Sequence, residues 1–511
     1  VLATAPVTAA LEEPASGEVP ALPATPLPPL LLSARSPAAL RLLAGRWQAR
    51  LAETPDGDLP ALLRGAARHR DLQPQRLALR GRTAAELAAA LADWSEGRDN
   101  PAATEGQAPA ASDIPAGGLA FVFSGNGSQF PGMAREALAA SPALRAGLEE
   151  ADAALAPLLG WSPAARIAAG VSEAEVAGTD IAQPLLFAIQ AALLRALAGE
   201  GLRPALVIGH SVGEAAAALA AGILDMDQAA RLVVARSAAQ HRTRGQGRMA
   251  ALALPPEEAA PLLAEAGPGL EIAARNAPRA VTVAGPAAAI ARLADLAKAH
   301  RASCVPLDLD YAFHSAAMEP VREALLGALG TMAPRPGQIP FVSTVTGAPL
   351  PGEAADAEYW WRNLRAPVRF AEAMAAALGQ GARLFLEIGP NPVLQSYLRE
   401  GARAAGLTAG TLFSLSRRDR PEAFPGGDPV PAIADRATTR GADPRGGALF
   451  RGPARRDLPL TPFARERHWL GATAESHRLH DAPRDHRLLG ERQDPEPRLW
   501  GRAVSYTHLT L

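Results

Sequence analysis

Apolar positions along the chain change period several times, and each change marks an element. Leu30-Leu31-Leu32-Ser33 is a short apolar run of strand type. It leads into Pro37 to Ala52, where apolar positions recur at helical spacing behind Ser33 or Ser36 as a cap. Leu77-Ala78-Leu79 predicts another strand, and Thr83 to Leu91 a helix. Residues 30–95 thus read as a small α/β unit. It is flanked by an Ala/Pro-rich stretch at 1–29, expected to be an extended linker, and by a Pro/Ala/Gly-rich break at 96–116.

From Leu119 the texture differs. The apolar run Leu119 to Phe123 enters Ser124-Gly125-Asn126-Gly127-Ser128-Gln129, helical segments follow to Leu202, and Ala205-Leu206-Val207-Ile208 reads as a buried strand before a Gly-rich turn and another helix. Strand, turn and helix in alternation predict a parallel α/β sheet. Residues 248–310 depart from this. Strands are expected at Met249 to Leu254, Leu270 to Ala274, Ala280 to Ala284 and Ala302 to Leu309, with helices at Pro256–Ala266 and Pro286–His300. That order is the ferredoxin-like pattern, so an inserted subdomain is expected. Phe341 to Val345 and Leu384 to Ile388 return to the main sheet, and beyond about Arg417 regularity fades into Pro, Gly and Arg. The predicted class is α/β, with an α/β-hydrolase-like parallel-sheet core, an inserted ferredoxin-like subdomain and a small α/β linker domain in front.

Composition narrows the function. The 511 residues exceed one usual domain, and 48% are hydrophobic. The 51 basic and 52 acidic residues give no basic excess, against nucleic-acid binding. Cys304 is the only cysteine, so no internal disulfide or thiolate metal cluster can form, and a cytoplasmic setting is expected. No apolar run approaches the roughly 18 residues of a membrane span. Nor does the N-terminus read as a signal peptide, being broken by Glu12, Glu13, Glu18 and prolines. A start at Val1 suggests a piece of something longer.

The chemistry concentrates at Gly209-His210-Ser211-Val212-Gly213, a G-x-S-x-G elbow between a predicted strand and helix. A sharp turn lifts the serine from the sheet, glycines let neighbouring backbone pass, and the following helix aims its first amides at a developing oxyanion. Such a serine needs a base. Ten histidines are available, and position alone does not choose among them. His210 should point away from the serine. His314 follows a strand-like segment in Tyr311-Ala312-Phe313-His314-Ser315.

Five stretches in order resemble the malonyl-CoA:acyl-carrier-protein transacylase family, and more closely the acyltransferase domain of a type I polyketide synthase. They are Phe-Ser-Gly-Asn-Gly-Ser-Gln at 123–129, Gly-His-Ser-Val-Gly-Glu at 209–214, Ala-Arg-Ser-Ala-Ala-Gln at 235–240, Tyr-Ala-Phe-His at 311–314 and Glu-Ile-Gly-Pro-Asn-Pro-Val-Leu at 387–394. The resemblance implies an acyltransferase domain at 117–415. It implies a ketosynthase–acyltransferase linker domain at 30–116 and a post-acyltransferase linker at 416–475, which includes Leu458 to Trp469 and wraps back over the preceding domains. His486 to Gly490 with Trp500 resembles the opening of a dehydratase domain at 476–511. The ending Val504 to Leu511 resembles translated sequencing-adapter sequence.

Carried over residue by residue, the resemblance implies Ser211 as nucleophile, His314 as base, and the main-chain amides of Val212 and Asn126 as oxyanion hole. The family usually has Gln at the position of Asn126. The carbonyl of Gln380 is expected to orient His314. Arg236, 25 positions beyond Ser211, is expected to grip a carboxylate through parallel hydrogen bonds. A simple acyl group would leave that buried charge unpaired, at a cost of about 3–5 kcal/mol. Gln240 borders the same pocket, Gln129 supports the loop, and His210 belongs to the substrate side. Phe313 implies malonyl-CoA, with methylmalonyl in reserve, although Tyr311 leans the other way. No bound cofactor or metal is implied; His477, His480 and His486 lack ligand spacing. The acceptor the resemblance implies is the phosphopantetheine thiol of an acyl carrier protein, and the expected neighbours are ketosynthase and dehydratase domains. The rival expectations are a serine hydrolase, opposed by Arg236 and the flanks, and an inactive docking module, opposed by the intact Ser211, His314 and Arg236.

Overall fold

The computed structural model describes residues 26–109 and 118–462, together with 491–492 and 500–501. Strands β1 (Leu30–Ala34), β2 (Gln75–Leu79) and β3 (Ala103–Gln107) form an antiparallel sheet in that order. Ser36 caps the helix Pro37–Ala52 by accepting from the Ala39 N–H at 3.2 Å. The apolar stripe of that helix, Leu40, Leu43, Trp47 and Leu51, packs with Leu77, Leu79, Leu87 and Leu91 into one core. β3 corrects the expected break at 96–116. Its sequence Ala-Thr-Glu-Gly-Gln has no apolar alternation, and it is held by pairing with β2.

The chain then forms β4 (Leu119–Phe123) and β5 (Leu206–Gly209), leaves through β6 (Arg248–Leu252), β7 (Glu271–Ala277), β8 (Ala280–Gly285) and β9 (Cys304–Pro306), and returns as β10 (Phe341–Ser343), β11 (Ala348–Pro349), β12 (Leu384–Ile388) and β13 (Gly410–Phe413). The main sheet runs β11-β10-β5-β4-β12-β13, parallel except for the edge strand β11. Successive side chains of β4 face opposite layers. Phe121 and Phe123 pack with Leu186, Ala217 and Val233, while Ala120 and Val122 pack with Phe370, Met374 and Leu398 on the other face. Chain order reverses beside β4, and the loops leaving β4 and β5 face the crevice where α/β sheets bind ligands.

Strands β6 to β9 form the predicted inserted sheet. Its antiparallel order β7-β8-β6-β9, with helices Pro256–Ala266 and Ala287–Ala299, is the ferredoxin-like arrangement. A parallel bridge between Ala274 and Val368 fastens it to the large unit.

Helix Thr179–Gly199 is long and apolar enough to cross a membrane by length and composition, and 78% of that apolar window is buried in the protein core. Beyond Arg417 the expected loss of regularity is corrected by the helix Pro429–Thr439. Asp428 caps it and Pro429 occupies its first turn, where the missing N–H costs nothing. This helix lies against β2 and β3, where a Cβ on Gly106 would come within 2.9 Å of Thr439. Leu458 enters the first core, and Arg80 pairs with both Glu200 (2.8 Å) and Asp435 (2.7 Å).

In a separate unit from Pro462 onward, a short antiparallel ladder joins Glu491–Arg492 to Trp500–Gly501. The dehydratase-like stretch His486–Gly490, the linker residues 463–475, the three C-terminal histidines, the adapter-like ending and nearly all of the N-terminal linker lie outside the described residues.

Candidate active site

Ser211 stands at the tip of the turn after β5 with φ of 54°, the left-handed conformation of a strained elbow. The turn closes because its flanks lack side chains. A Cβ on Gly209 would lie 2.2 Å from the Glu214 nitrogen, and one on Gly213 would lie 2.3 Å from the Phe123 oxygen. His314 is likewise left-handed, with φ of 56°. The Ser211 hydroxyl meets His314 Nε2 at 2.8 Å. His314 Nδ1 lies 2.9 Å from the Ala366 carbonyl, which can only accept. The proton therefore sits on Nδ1, and Nε2 presents its lone pair to the serine. Burial first, and the Arg236 charge second, hold the His314 pKa down to about 3, so the imidazole is neutral.

Ala366 thus takes the place expected of Gln380. Gln380 ends the helix Phe370–Gly379, its N–H bonded to Ala376. A backbone carbonyl has no side-chain signature, so only the fold can assign it.

Arg236 is 1% exposed. Its Nη2 donates to Ser211 Oγ at 3.0 Å, Nη1 to Gln183 Oε1 at 2.8 Å and Gln240 Oε1 at 2.9 Å, and Nε to Asn363 Oδ1 at 3.2 Å. Every acceptor is neutral. Burial lowers the guanidinium pKa to about 9, partly offset by Glu214, so it keeps its charge at neutral pH. Sequence reasoning missed Gln183, Asn363 and the part played by Glu214. Gln183 did leave a signal, as one of the few polar residues, with Gln190, on the buried and mainly apolar face of Thr179–Gly199.

The remaining candidates surround this centre. Among the described residues, neither the Val212 nor the Asn126 main-chain N–H has a protein acceptor. Gln129 accepts from the Gly127 N–H at 2.7 Å and so braces the loop after β4. Asn126, Gln129, His210 and Asn276 line a cleft of about 590 Å³ where the inserted sheet faces the large unit. His210 turns from the serine to Asn276 Oδ1 at 2.8 Å, and its burial disfavours the charged form. Tyr311 and Phe313 are buried and stacked, their ring centres 4.8 Å apart. The Tyr311 hydroxyl lies 3.2 Å from His241 Nδ1.

A serine on a strained strand-to-helix elbow, paired with a neutral histidine and a buried arginine, is an arrangement that suits an acyl-transferring α/β enzyme. The chain belongs to the acyl transferase domain family, which matches residues 120–444, and it is an acyltransferase. Polyketide synthase GfsB of Streptomyces halstedii is 37% identical over 469 residues, 90% of this chain and 8% of that protein. Erythronolide synthase EryA2 of Saccharopolyspora erythraea is 35% identical over 449 residues, 87% of this chain and 12% of that protein. The chain therefore spans only a small part of these relatives. Among solved structures, the acyltransferase domain from module 8 of the salinomycin polyketide synthase superposes with a TM-score of 0.72 at 31% identity, covering 82% of this chain and 98% of that one. MCAT from Streptococcus pneumoniae gives 0.53 at 28% identity, covering 58% and 96%.

Proposed function

We propose that this acyltransferase moves a malonyl group from coenzyme A to the phosphopantetheine thiol of an acyl carrier protein within a cytoplasmic polyketide synthase, beside ketosynthase and dehydratase domains. The observation that carries the reading is the position of Ser211 Oγ, 2.8 Å from a neutral imidazole and 3.0 Å from a buried guanidinium. A hydrolase elbow needs the first contact and has no use for the second. A carboxylated acyl group needs both.

In the first half-reaction the Ser211 oxygen attacks the thioester carbonyl while His314 Nε2 takes the hydroxyl proton. The oxyanion is received by the free N–H groups of Val212 and Asn126. The C–S bond breaks, and His314 returns the proton to the departing coenzyme A thiolate. In the second half the carrier's thiol gives its proton to His314 and attacks the acyl-serine. The Ser211–acyl bond then breaks, and the proton returns to the serine. Arg236 leaves the hydroxyl and pairs with the free carboxylate of the malonyl group, offering two parallel donors. Phe313 directly precedes His314 and stacks on Tyr311, and its bulk favours malonyl over methylmalonyl.

Intact mass after incubation with malonyl-CoA, methylmalonyl-CoA or acetyl-CoA tests this, with Ser211→Ala as control. The expected result is a malonyl adduct, absent in the variant, with little acetyl adduct. Hydrolysis without adduct would instead establish a thioesterase. A folded protein with neither adduct nor hydrolysis would be a docking module.

A further inference from the structure

Beneath the elbow lies a buried polar cluster that the transfer steps above do not use. Glu214, fully buried and three residues beyond Ser211, accepts from the Tyr359 hydroxyl at 2.7 Å, from Asn363 Nδ2 at 2.8 Å, from the Thr344 hydroxyl at 2.7 Å and from the Thr344 main-chain N–H. Among the described residues no arginine or lysine forms an ion pair with it. Burial raises its carboxyl pKa, and these donors offset only part of that rise. A buried carboxylate so fully supplied with donors is held in place.

Asn363, 2% exposed, joins this carboxylate to the reacting groups. Its Oδ1 accepts from Arg236 Nε at 3.2 Å, while its Nδ2 donates both to Glu214 Oε2 at 2.8 Å and to the Ser211 main-chain carbonyl at 3.2 Å. The amide has only one workable orientation. Flipped, it would turn N–H groups toward the guanidinium and a carbonyl toward two acceptors. Arg236, which can only donate, and the Ser211 carbonyl, which can only accept, fix that orientation, and Glu214 Oε2 receives the second N–H. Of the side-chain acceptors on Arg236 other than Ser211 itself, Gln183 and Gln240 bond to each other at 2.6 Å, while Asn363 alone reaches the backbone of the elbow.

We propose that Asn363 is a positioning residue for acyl transfer and that Glu214 is its buried anchor. The pair sets the direction of the Arg236 guanidinium and the pitch of the Ser211 turn, and so carries part of the preference for carboxylated acyl groups. This rests on the reading of Arg236 as the carboxylate clamp.

The test compares rates of Ser211 acylation by malonyl-CoA and acetyl-CoA, with folding checked by thermal unfolding. The malonyl-to-acetyl rate ratio should fall about tenfold or more in Asn363→Ala, because the guanidinium loses its direction. A purely structural role would slow both substrates alike and leave the ratio unchanged, which would overturn the inference. Should Asn363→Ala not fold, Asn363→Asp decides: it sets an acceptor against Glu214 and the Ser211 carbonyl where Nδ2 now donates, and should lower the ratio. An unmoved ratio in a folded Asn363→Asp protein counts against the proposal. A wild-type protein with no malonyl preference would remove the clamp reading and the inference with it, whereas an unmoved ratio above a clear wild-type preference removes the inference alone.

Discussion

Arg236 Nη2 donates to Ser211 Oγ at 3.0 Å, so the proposed nucleophile touches the group proposed to select its substrate. On that reading, selection and attack are set by one geometry. A substrate carboxylate that draws the guanidinium away from the hydroxyl also leaves the serine oxygen facing His314 alone.

Removing that guanidinium should separate the two roles. Arg236→Ala is expected to lower kcat/KM for malonyl-CoA by about 1.5–3 kcal/mol, roughly ten- to hundredfold, the worth of hydrogen bonds to a charged group. Acetyl loading should be little reduced. Arg236→Lys should recover only part of the loss, since an ammonium lacks the planar fork. Acyl-serine formation by quenched-flow mass measurement checks both, and equal losses for the two substrates would remove Arg236 from substrate selection.

The pH dependence follows from His314. Burial and the neighbouring Arg236 charge hold its pKa down to about 3, against 6.5 for an ordinary imidazole. As the proposed base it is then in its working form throughout the neutral range, and Ser211 acylation should show no acid limb near 6.5. Between those two values the unfolded chain binds the extra proton and the folded chain does not. The contribution of this histidine to stability is therefore complete above 6.5 and is lost progressively as pH falls toward 3. Rate profiles and melting temperatures across this range test it, and a rate limb at the free-imidazole value would contradict it.

Phe313 fills space beside the base, stacked on Tyr311. Phe313→Ser should raise methylmalonyl loading relative to malonyl by about 1–3 kcal/mol, the usual worth of one methyl in an apolar pocket. Competition between the two thioesters, read as the mass of the acyl-serine, measures it directly. An unchanged ratio would place the extender selection elsewhere.

Gly213→Ala tests the elbow itself. The added methyl would lie 2.3 Å from the Phe123 oxygen and 2.8 Å from that of Ser124, with backbone on both sides. A loss of about 3 kcal/mol or more of stability is expected, measured by denaturant unfolding. A variant as stable as the parent would mean that the turn has room to spread.

Much of this was legible because local sequence and tertiary context agree. The mostly apolar Leu384–Ile388 is an interior strand, and Pro256–Ala266 is a helix in the order a ferredoxin-like unit requires. The elbow announced itself through glycines at 209 and 213, each needed for a close approach. What stayed hidden depends on partners distant in sequence. β3 has no apolar alternation and exists through β2. Pro429–Thr439 sits in a Pro-rich stretch that reads as coil until its first proline is recognised as a helix start. The segment Ala357–Ala366 was unmarked, yet it supplies Tyr359 and Asn363 to Glu214 and the Ala366 carbonyl to His314. Glu214 was visible in the Gly-His-Ser-Val-Gly-Glu run, but its partners lie about 130–150 positions away.

Arg80 has a consequence for anyone wishing to transplant this domain into another protein. It comes from the small N-terminal sheet, and its two carboxylate partners come from the acyltransferase core at Glu200 and the late helix at Asp435. A graft that exchanges residues 120–444 alone, the span that family resemblance marks out, would cut through this triad and pair a host arginine with foreign acids. Seams placed before Leu30 and after Leu458 would keep this triad, and the place of Leu458 in the first core, within the exchanged piece.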